Sequence, residues 1–320
     1  MEDYPRTVME LESRFSSEDA CRAYLTSLRW PNGFVCPHCG GTSAWLVGKA
    51  LHECSGCHKQ TSVIAGTIFD HSRTPLPVWF RAIWWVVTQK NGASALGLQR
   101  VLGLGSYETA WTWLHKIRQA MVAPGRSRLS GEIEVDETYL GGLEEGVAGR
   151  ETYKKALVVI AAQADGKKIG RIRMRRITDA SGKSLLPFIS DVIEPGSLVH
   201  TDGWPAYGGI SEVGYRHKVT VLRQNAASAS ELLPRIHRVA SLLKGWILGT
   251  HQGAVSPEHL DAYLNEFTFR FNRRTSSSRG KLFYRLLQNA MVAEPAPYKK
   301  IVKGIRRGPE HLKRRRSNLT

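Results

Sequence analysis

Acidic side chains are scarce in this chain of 320 residues: 28 aspartates and glutamates stand against 45 lysines and arginines, giving a formal charge of +17. That deficit points to a polyanionic partner, because neutralising phosphates releases their counterions. Long apolar runs are also missing. Trp84-Trp85-Val86-Val87 falls far short of the ~20 residues a spanning helix needs, which argues against a membrane protein. Met1-Glu2-Asp3-Tyr4 opens with acids and no apolar core follows, so no secretory signal is expected and the cytoplasm is the expected compartment. Cysteine is rare as well, at five residues. A disulfide-stapled fold is therefore not expected, and the length suits two or three domains that each bury a core.

Four of those cysteines form two knuckles, Cys36-Pro-His-Cys39 and Cys54-Ser-Gly-Cys57. CxxC pairs in a reducing compartment are more often metal ligands than disulfides, and four thiolates suit structural zinc. The chain between them is long enough for two strands, with Trp45-Leu46-Val47 and Leu51-His52-Glu53 on either side of a turn at Gly48-Lys49. A redox pair, or His38 or His58 replacing one thiolate, are the competing readings. Cys21 lies at helical spacing among apolar residues and reads as core.

Residues 75–122 read as helical. Trp79, Ile83, Trp84 and Val87 recur at three- and four-residue intervals, and Ser94 to Leu102 stops at Gly103-Leu104-Gly105. Ser106 then caps a helix through Ala110, Trp113, Leu114, Ile117 and Met121. The pair fits helix-turn-helix geometry, whose second helix would offer Tyr107, Thr109, Thr112, Lys116 and Arg118 to DNA; any small helical bundle contains such a pair too.

From residue 131 the period changes. Ile133 to Tyr139 alternates, Ala156 to Ala162 is a buried run, and Arg171 to Ile177 alternates with arginine on one face. A helix over Leu185–Val192, a strand over Ser197–Thr201, a strand over Val219–Leu222 and a helix over Leu233–Leu248 follow. That order is the order of the ribonuclease H-like fold, an α/β class in which helices flank an open mixed sheet.

Two aspartates stand out in that region. Asp136 sits inside an apolar strand, where an ionised carboxylate is costly unless metal or hydrogen bonds compensate it. Asp202 ends a strand at Gly203-Trp204-Pro205, a bend of the kind where open sheets hold ligands. On adjacent strands the two would converge. Such a pair suits magnesium, and two ions about 4 Å apart stabilise the attacking and leaving oxygens of a phosphoryl displacement. Taken singly, each also reads as an ordinary strand or turn aspartate. Glu137 points to the opposite sheet face in a regular strand.

Six stretches stand in order along the chain: Trp30 to Gly40, Gly66-Thr-Ile-Phe69, Val135-Asp136-Glu-Thr-Tyr-Leu-Gly-Gly142, His200-Thr-Asp202-Gly-Trp-Pro-Ala-Tyr207, Gly249 to Ala254, and Glu266-Phe-Thr-Phe-Arg-Phe-Asn-Arg-Arg274. By these the chain resembles, over essentially its whole length, bacterial insertion-sequence transposases of the DDE superfamily, in the zinc-ribbon (ISXO-like) branch. The resemblance implies a ribonuclease H-like core, divalent metal (Mg2+ or Mn2+), double-stranded DNA as transposon ends and target, and a dimer or higher homo-oligomer on that DNA. A bacterial, nucleoid-associated cytoplasmic location goes with it. The expected reaction is cleavage at the element's ends and joining of the freed 3′ hydroxyls to target DNA.

The sequence departs from the superfamily at the third ligand. Where a glutamate is usual, His237 stands, with Lys244 seven residues later on the same helical face. Three readings compete: His237 is the third ligand, which suits manganese or zinc better than magnesium; the site has lost its acid and is silent; or the histidine only packs. Register with Asp202 and Lys244 favours the ligand. Lys244 then meets a DNA phosphate, as do Arg273 and Arg274 in the basic stretch after a helix through Leu260, Tyr263, Leu264 and Phe267. The expected domains are an N-terminal helix and ribbon over 1–70, a helical DNA-binding domain over 71–127, a catalytic domain over 128–275 and a basic tail over 276–320. A catalytically inactive, transposase-derived regulatory protein is the alternative function.

Overall fold

A computed structural model describes residues 2–48, 50–123, 125–141, 155–221, 232–253 and 255–302. Among them, no helix is long and apolar enough to cross a membrane.

The ribbon is a three-stranded antiparallel sheet of β1 (Ala44–Val47), β2 (Leu51–Cys54) and β3 (Gln60–Ser62) in that order. Gly48, at φ +60°, makes the β1–β2 turn in a conformation that strains other residues. Arg29 ties the ribbon down by donating to the Ser62 and Val63 carbonyls.

Helices α1 (Val8–Arg14), α2 (Glu18–Arg29), α3 (Leu76–Thr88), α4 (Ala95–Leu102) and α5 (Tyr107–Ala120) share one core. Its centre is the fully buried Trp79, stacked on Trp113 with ring centroids 3.7 Å apart. The α4–α5 pair forms as the caps foretell: Ser94 and Ser106 each accept an N–H at their helix starts, and Gly103 closes α4 at φ +63°. The domain boundaries differ from those expected. Residues 279–292 are not tail: the Arg279–Val292 helix buries Leu282, Phe283, Leu286, Leu287, Ala290 and Met291 in this helical core. The N-terminal helices belong there too, since Leu11, Phe15 and Leu25 pack in the same cluster. The basic segment from 303 onward, and Gly142, Leu222, Glu231 and Ala254, lie outside the described residues.

The second body is a five-stranded mixed sheet, β6-β5-β4-β7-β8, from β4 (Glu132–Leu140), β5 (Ala156–Asp165), β6 (Lys168–Ile177), β7 (Leu198–Asp202) and β8 (Arg216–Thr220). β4–β5 and β5–β6 are antiparallel; β4–β7 and β7–β8 are parallel. This is the ribonuclease H-like order. On one face lies α6 (Gly182–Val192), and on the other lie the Pro234–His251 and Leu260–Asn272 helices. The last strand begins earlier than expected, at Arg216, because Arg216 and Lys218 point to solvent from a sheet edge and hide the alternation. Paired contacts hold it: His200 Nε2 lies 2.7 Å from Thr220 Oγ1, and His217 Nε2 lies 2.9 Å from Thr201 Oγ1.

The two bodies are bolted together through the Gln89–Ala93 loop. Arg270 donates to the Val86 and Gln89 carbonyls, Trp246 Nε1 donates to Asn91 at 3.0 Å, and the Ala93 N–H meets Glu266. Gly92, at φ +93°, is pressed so close to Trp246 that a Cβ would sit 2.5 Å from its Nε1.

Candidate active site and metal centres

The ribbon's four thiols come together as the spacing foretells. One sulfur from each of Cys36, Cys39, Cys54 and Cys57 lies within 4.8 Å of all the others. The Cys39–Cys54 and Cys36–Cys57 separations are 3.5 and 3.7 Å, close to the roughly 3.8 Å edge of a tetrahedron with 2.3 Å zinc–sulfur bonds. Burial works against Cys36, yet the His38 and Cys39 N–H groups outweigh it and bring its thiol down to about 6. Around Cys39 the Gly41 N–H is outweighed by the neighbouring thiols, which push it up to about 12. A dication resolves that crowding, so the donor set fits structural zinc. Gly41 was missed by the sequence reading: a Cβ there would press on Cys54 Sγ at 3.3 Å and Cys39 Sγ at 3.4 Å.

Asp136 and Asp202 stand on neighbouring parallel strands, and Asp202 is near enough to raise the Asp136 carboxyl. The β4–β7 register pairs Glu132 with Leu198, Ile133 with Val199 and Glu134 with His200, and two more residues along each strand reach the two aspartates. Even-numbered β4 residues face the Pro234–His251 helix, as Glu134 and Leu140 demonstrate. Asp136 therefore faces the helix that carries His237.

A cleft of about 400 Å³ opens there, lined by Asp136, Glu137, Thr138, His237, Ser241 and Lys244 among others. Burial raises the Asp136 carboxyl above its ordinary value; the Glu137 N–H and side chain and the His237 imidazole oppose that rise, and Asp202 adds to it. The Glu137 N–H donates to Asp136 at 2.8 Å, and the Trp204 N–H donates to Asp202 at 3.1 Å. Behind the aspartates, Tyr207 is fully buried, and its hydroxyl is held well above the usual value by burial and by Glu137, Asp136 and Asp202. A half-buried carboxylate repelled by its neighbour, with an imidazole beside it, is a donor set that fits divalent metal. The trio is more open than the thiol cage. Among the described residues, only the four cysteines bring three or more such donors within 4.8 Å of one another.

Sequence reasoning missed the residue that aims this helix. Glu134, 1% exposed, accepts the Ile236 N–H at 2.9 Å and Arg235 Nη1 at 2.8 Å. The helix has no side-chain cap of its own and no acid in its first turn, so Glu134 does that work from the strand. Its signal was parity: it stands two residues before Asp136, on the same face of the strand.

The basic residues separate into two kinds. Lys244 is exposed at the cleft, and Lys116 is half-buried near Trp79. Arg118 is not a DNA contact: it is 1% exposed, donates to Glu266 at 2.8 Å, and lies over the Tyr263 ring at 4.0 Å. One face of the expected reading helix is core, buried along Ala110, Trp113, Leu114, His115, Ile117 and Arg118, while Tyr107 is exposed and Thr109, Thr112 and Lys116 are half-buried. Arg273 and Arg274 lie over Phe269 and Phe271, and Arg274 also donates to main-chain carbonyls at the β6 end, including Gly170 at 3.4 Å.

Residues 128–272 match the ISXO2-like transposase domain, and residues 16–60 match the transposase zinc-ribbon domain. Both are transposase domains. A relative from Halobacterium salinarum, described as an uncharacterized protein in transposable element ISH50, is 26% identical over 275 residues, covering 80% of this chain and 91% of its own length. Among solved structures, the BIV integrase catalytic core is 12% identical with a TM-score of 0.30, covering 58% of this chain and 99% of that one. The Mos1 strand transfer complex is 12% identical with a TM-score of 0.27, covering 70% and 77%. Overlaps that partial transfer nothing, and the sheet order stands on its own hydrogen-bonded pairs.

Proposed function

We propose that this protein is a DNA transposase that cuts the ends of its element and joins them to target DNA in one pocket by two-metal-ion phosphoryl transfer. The observation that carries this reading is Asp136 in a cleft shared with His237 and Lys244, with Asp202 at the end of the neighbouring parallel strand and close enough to act on the Asp136 carboxyl. Asp136, Asp202 and His237 would hold the metal; Mg2+ or Mn2+ would supply charge neutralisation at the reacting phosphate.

The chain's own residues position rather than attack. The Glu137 and Trp204 N–H groups fix the two carboxylates, and Glu134 fixes the helix. Lys244 meets the non-bridging oxygens of the phosphate next to the cut as a point charge. Water displaces the 3′ oxygen at the element's end, the 3′ hydroxyl leaves with a proton, and that hydroxyl then displaces an oxygen at a target phosphate. Catalysis rests on alignment and charge rather than on a protein nucleophile. Double-stranded DNA is the partner, with a dimer or higher oligomer bridging two ends.

The test is metal-dependent nicking and strand transfer on element-end DNA. Asp136→Asn or Asp202→Asn abolishes cleavage while DNA binding survives, and undiminished cleavage in either removes the mechanism. His237→Ala also stops cleavage, whereas His237→Glu retains it with magnesium; an alanine variant as active as the parent makes the histidine a packing residue. A second reading, a silent DNA-binding regulator, draws on the lack of an acid along the Pro234–His251 helix and on the open spacing of the trio among the described residues. No nicking with either metal, together with intact DNA binding, would select it.

A further inference from the structure

A second groove adjoins the candidate active cleft and crosses the outer face of the Pro234–His251 helix. It encloses about 750 Å³ between that helix, the Gln89–Asn91 stretch of the helical body, the end of the Leu260–Asn272 helix and the start of the Arg279–Val292 helix. Ser241 lines both the groove and the Asp136–His237 cleft, so the two adjoin at that residue.

Its chemistry is of one sign. Lys90, Arg270, Arg273, Arg274 and Arg279 line it, and no carboxylate does. Arg270 is turned inward to Glu266 and two carbonyls. Lys90 and Arg279 are exposed, with no hydrogen-bond or ion-pair partner among the described residues. The floor lets a bulky chain come close. Ser241, Gly245 and Gly249 follow each other at four-residue intervals on one helix face, all exposed, and a Cβ at either glycine would meet nothing within 4 Å. One wall is rigid, since Trp246 and Thr250 of the helix both donate to the Asn91 carbonyl.

Resting on the transposase reading above, we propose that this groove carries the DNA backbone leading away from the scissile phosphate. The shared wall at Ser241 gives the path, and the acid-free lining favours phosphate. Lys90 and Arg279 at opposite walls make the sequence-independent contacts, and the bare glycine face gives the sugar-phosphate chain room. An acidic peptide is the competing occupant, but it has no reason to start at a phosphoryl-transfer cleft.

The experiment measures binding of the full zinc-loaded chain to fluorescent element-end duplex without added magnesium or manganese. Gly245→Glu and Gly249→Glu put an acid into the groove where nothing is displaced, and Met9→Glu makes the same charge change at a remote surface position, 74% exposed. Each groove variant should bind about tenfold more weakly than Met9→Glu at roughly 0.1 M salt, with an unchanged unfolding midpoint. The Lys90→Ala, Arg279→Ala double variant should lower the slope of log K against log salt by about 2. A Leu242→Cys variant should cross-link to duplex carrying a tethered thiol, and polyglutamate should not protect it. Groove variants that bind like Met9→Glu together with an unchanged salt slope, or protection by polyglutamate but not by DNA, would overturn the proposal. The groove and the catalytic reading fail separately: a parent that binds through the groove but never cleaves loses only the latter, and one that cleaves with the groove blocked loses only the former.

Discussion

At the residue scale, Arg118 and Glu266 illustrate how one letter serves opposite ends. Both are almost fully buried, and the Glu266 carboxyl is held down to about 2: burial pushes it up, but Arg118 and Arg270 outweigh that. Removing one partner leaves the other charge buried and unpaired, which costs about 3–5 kcal/mol. Arg118→Ala should therefore lower the unfolding free energy by about that much in denaturant titration, while the salt slope of DNA binding stays at the parent's value. A slope lowered with no loss of stability would return Arg118 to the DNA surface. The sequence held a hint, since Arg118 follows the buried Leu114 by four residues and shares its face.

At the element scale, the Pro234–His251 helix depends on partners outside itself. Proline at its first position and leucine before it supply no side-chain acceptor, so Glu134 satisfies the Ile236 N–H. Glu134→Ala should cost about 2–3 kcal/mol and raise amide exchange at Ile236 well above that at Val239 and Leu243 deeper in the helix. Equal exchange in parent and variant would show that the helix starts without that carboxylate. The other end is held by the Gln89–Ala93 loop. Gly92→Ala combines a positive φ with a clash against Trp246, so a loss of about 2 kcal/mol or more is expected in thermal unfolding.

At the scale of the whole molecule, the junction between the two bodies carries a ring cluster of His115, His251, His259, Trp111, Trp246 and Tyr263. Burial, reinforced by Arg118, lowers His115 to about 3 and His251 to about 4, and burial lowers His259 as well. A histidine whose folded value lies below its unfolded value of 6.5 favours the neutral ring in the fold. Its penalty is absent above that value and grows as pH falls from 6.5 toward 4. The unfolding midpoint should fall over that window, and His115→Phe should flatten the fall; a midpoint that does not move would discount the cluster. Zinc acts at the same scale but elsewhere: chelation should release the β1–β3 ribbon while the near-ultraviolet signal of Trp79 and Trp113 persists. Much of this was legible in the chain alone. Thiol spacing, helix caps at Ser94 and Ser106, strand alternation and the positions of Asp136, Asp202 and His237 are local signals, because short-range geometry and chemistry write them into neighbouring letters. The tertiary structure alone decided that the Arg279–Val292 helix closes the N-terminal core, that Arg118 is buried, that Glu134 aims the Pro234–His251 helix, and that a cationic groove adjoins the cleft. Each of those depends on which distant surfaces meet, and burial, the quantity that turns a charge into a bolt or a binding group, exists only after they have met.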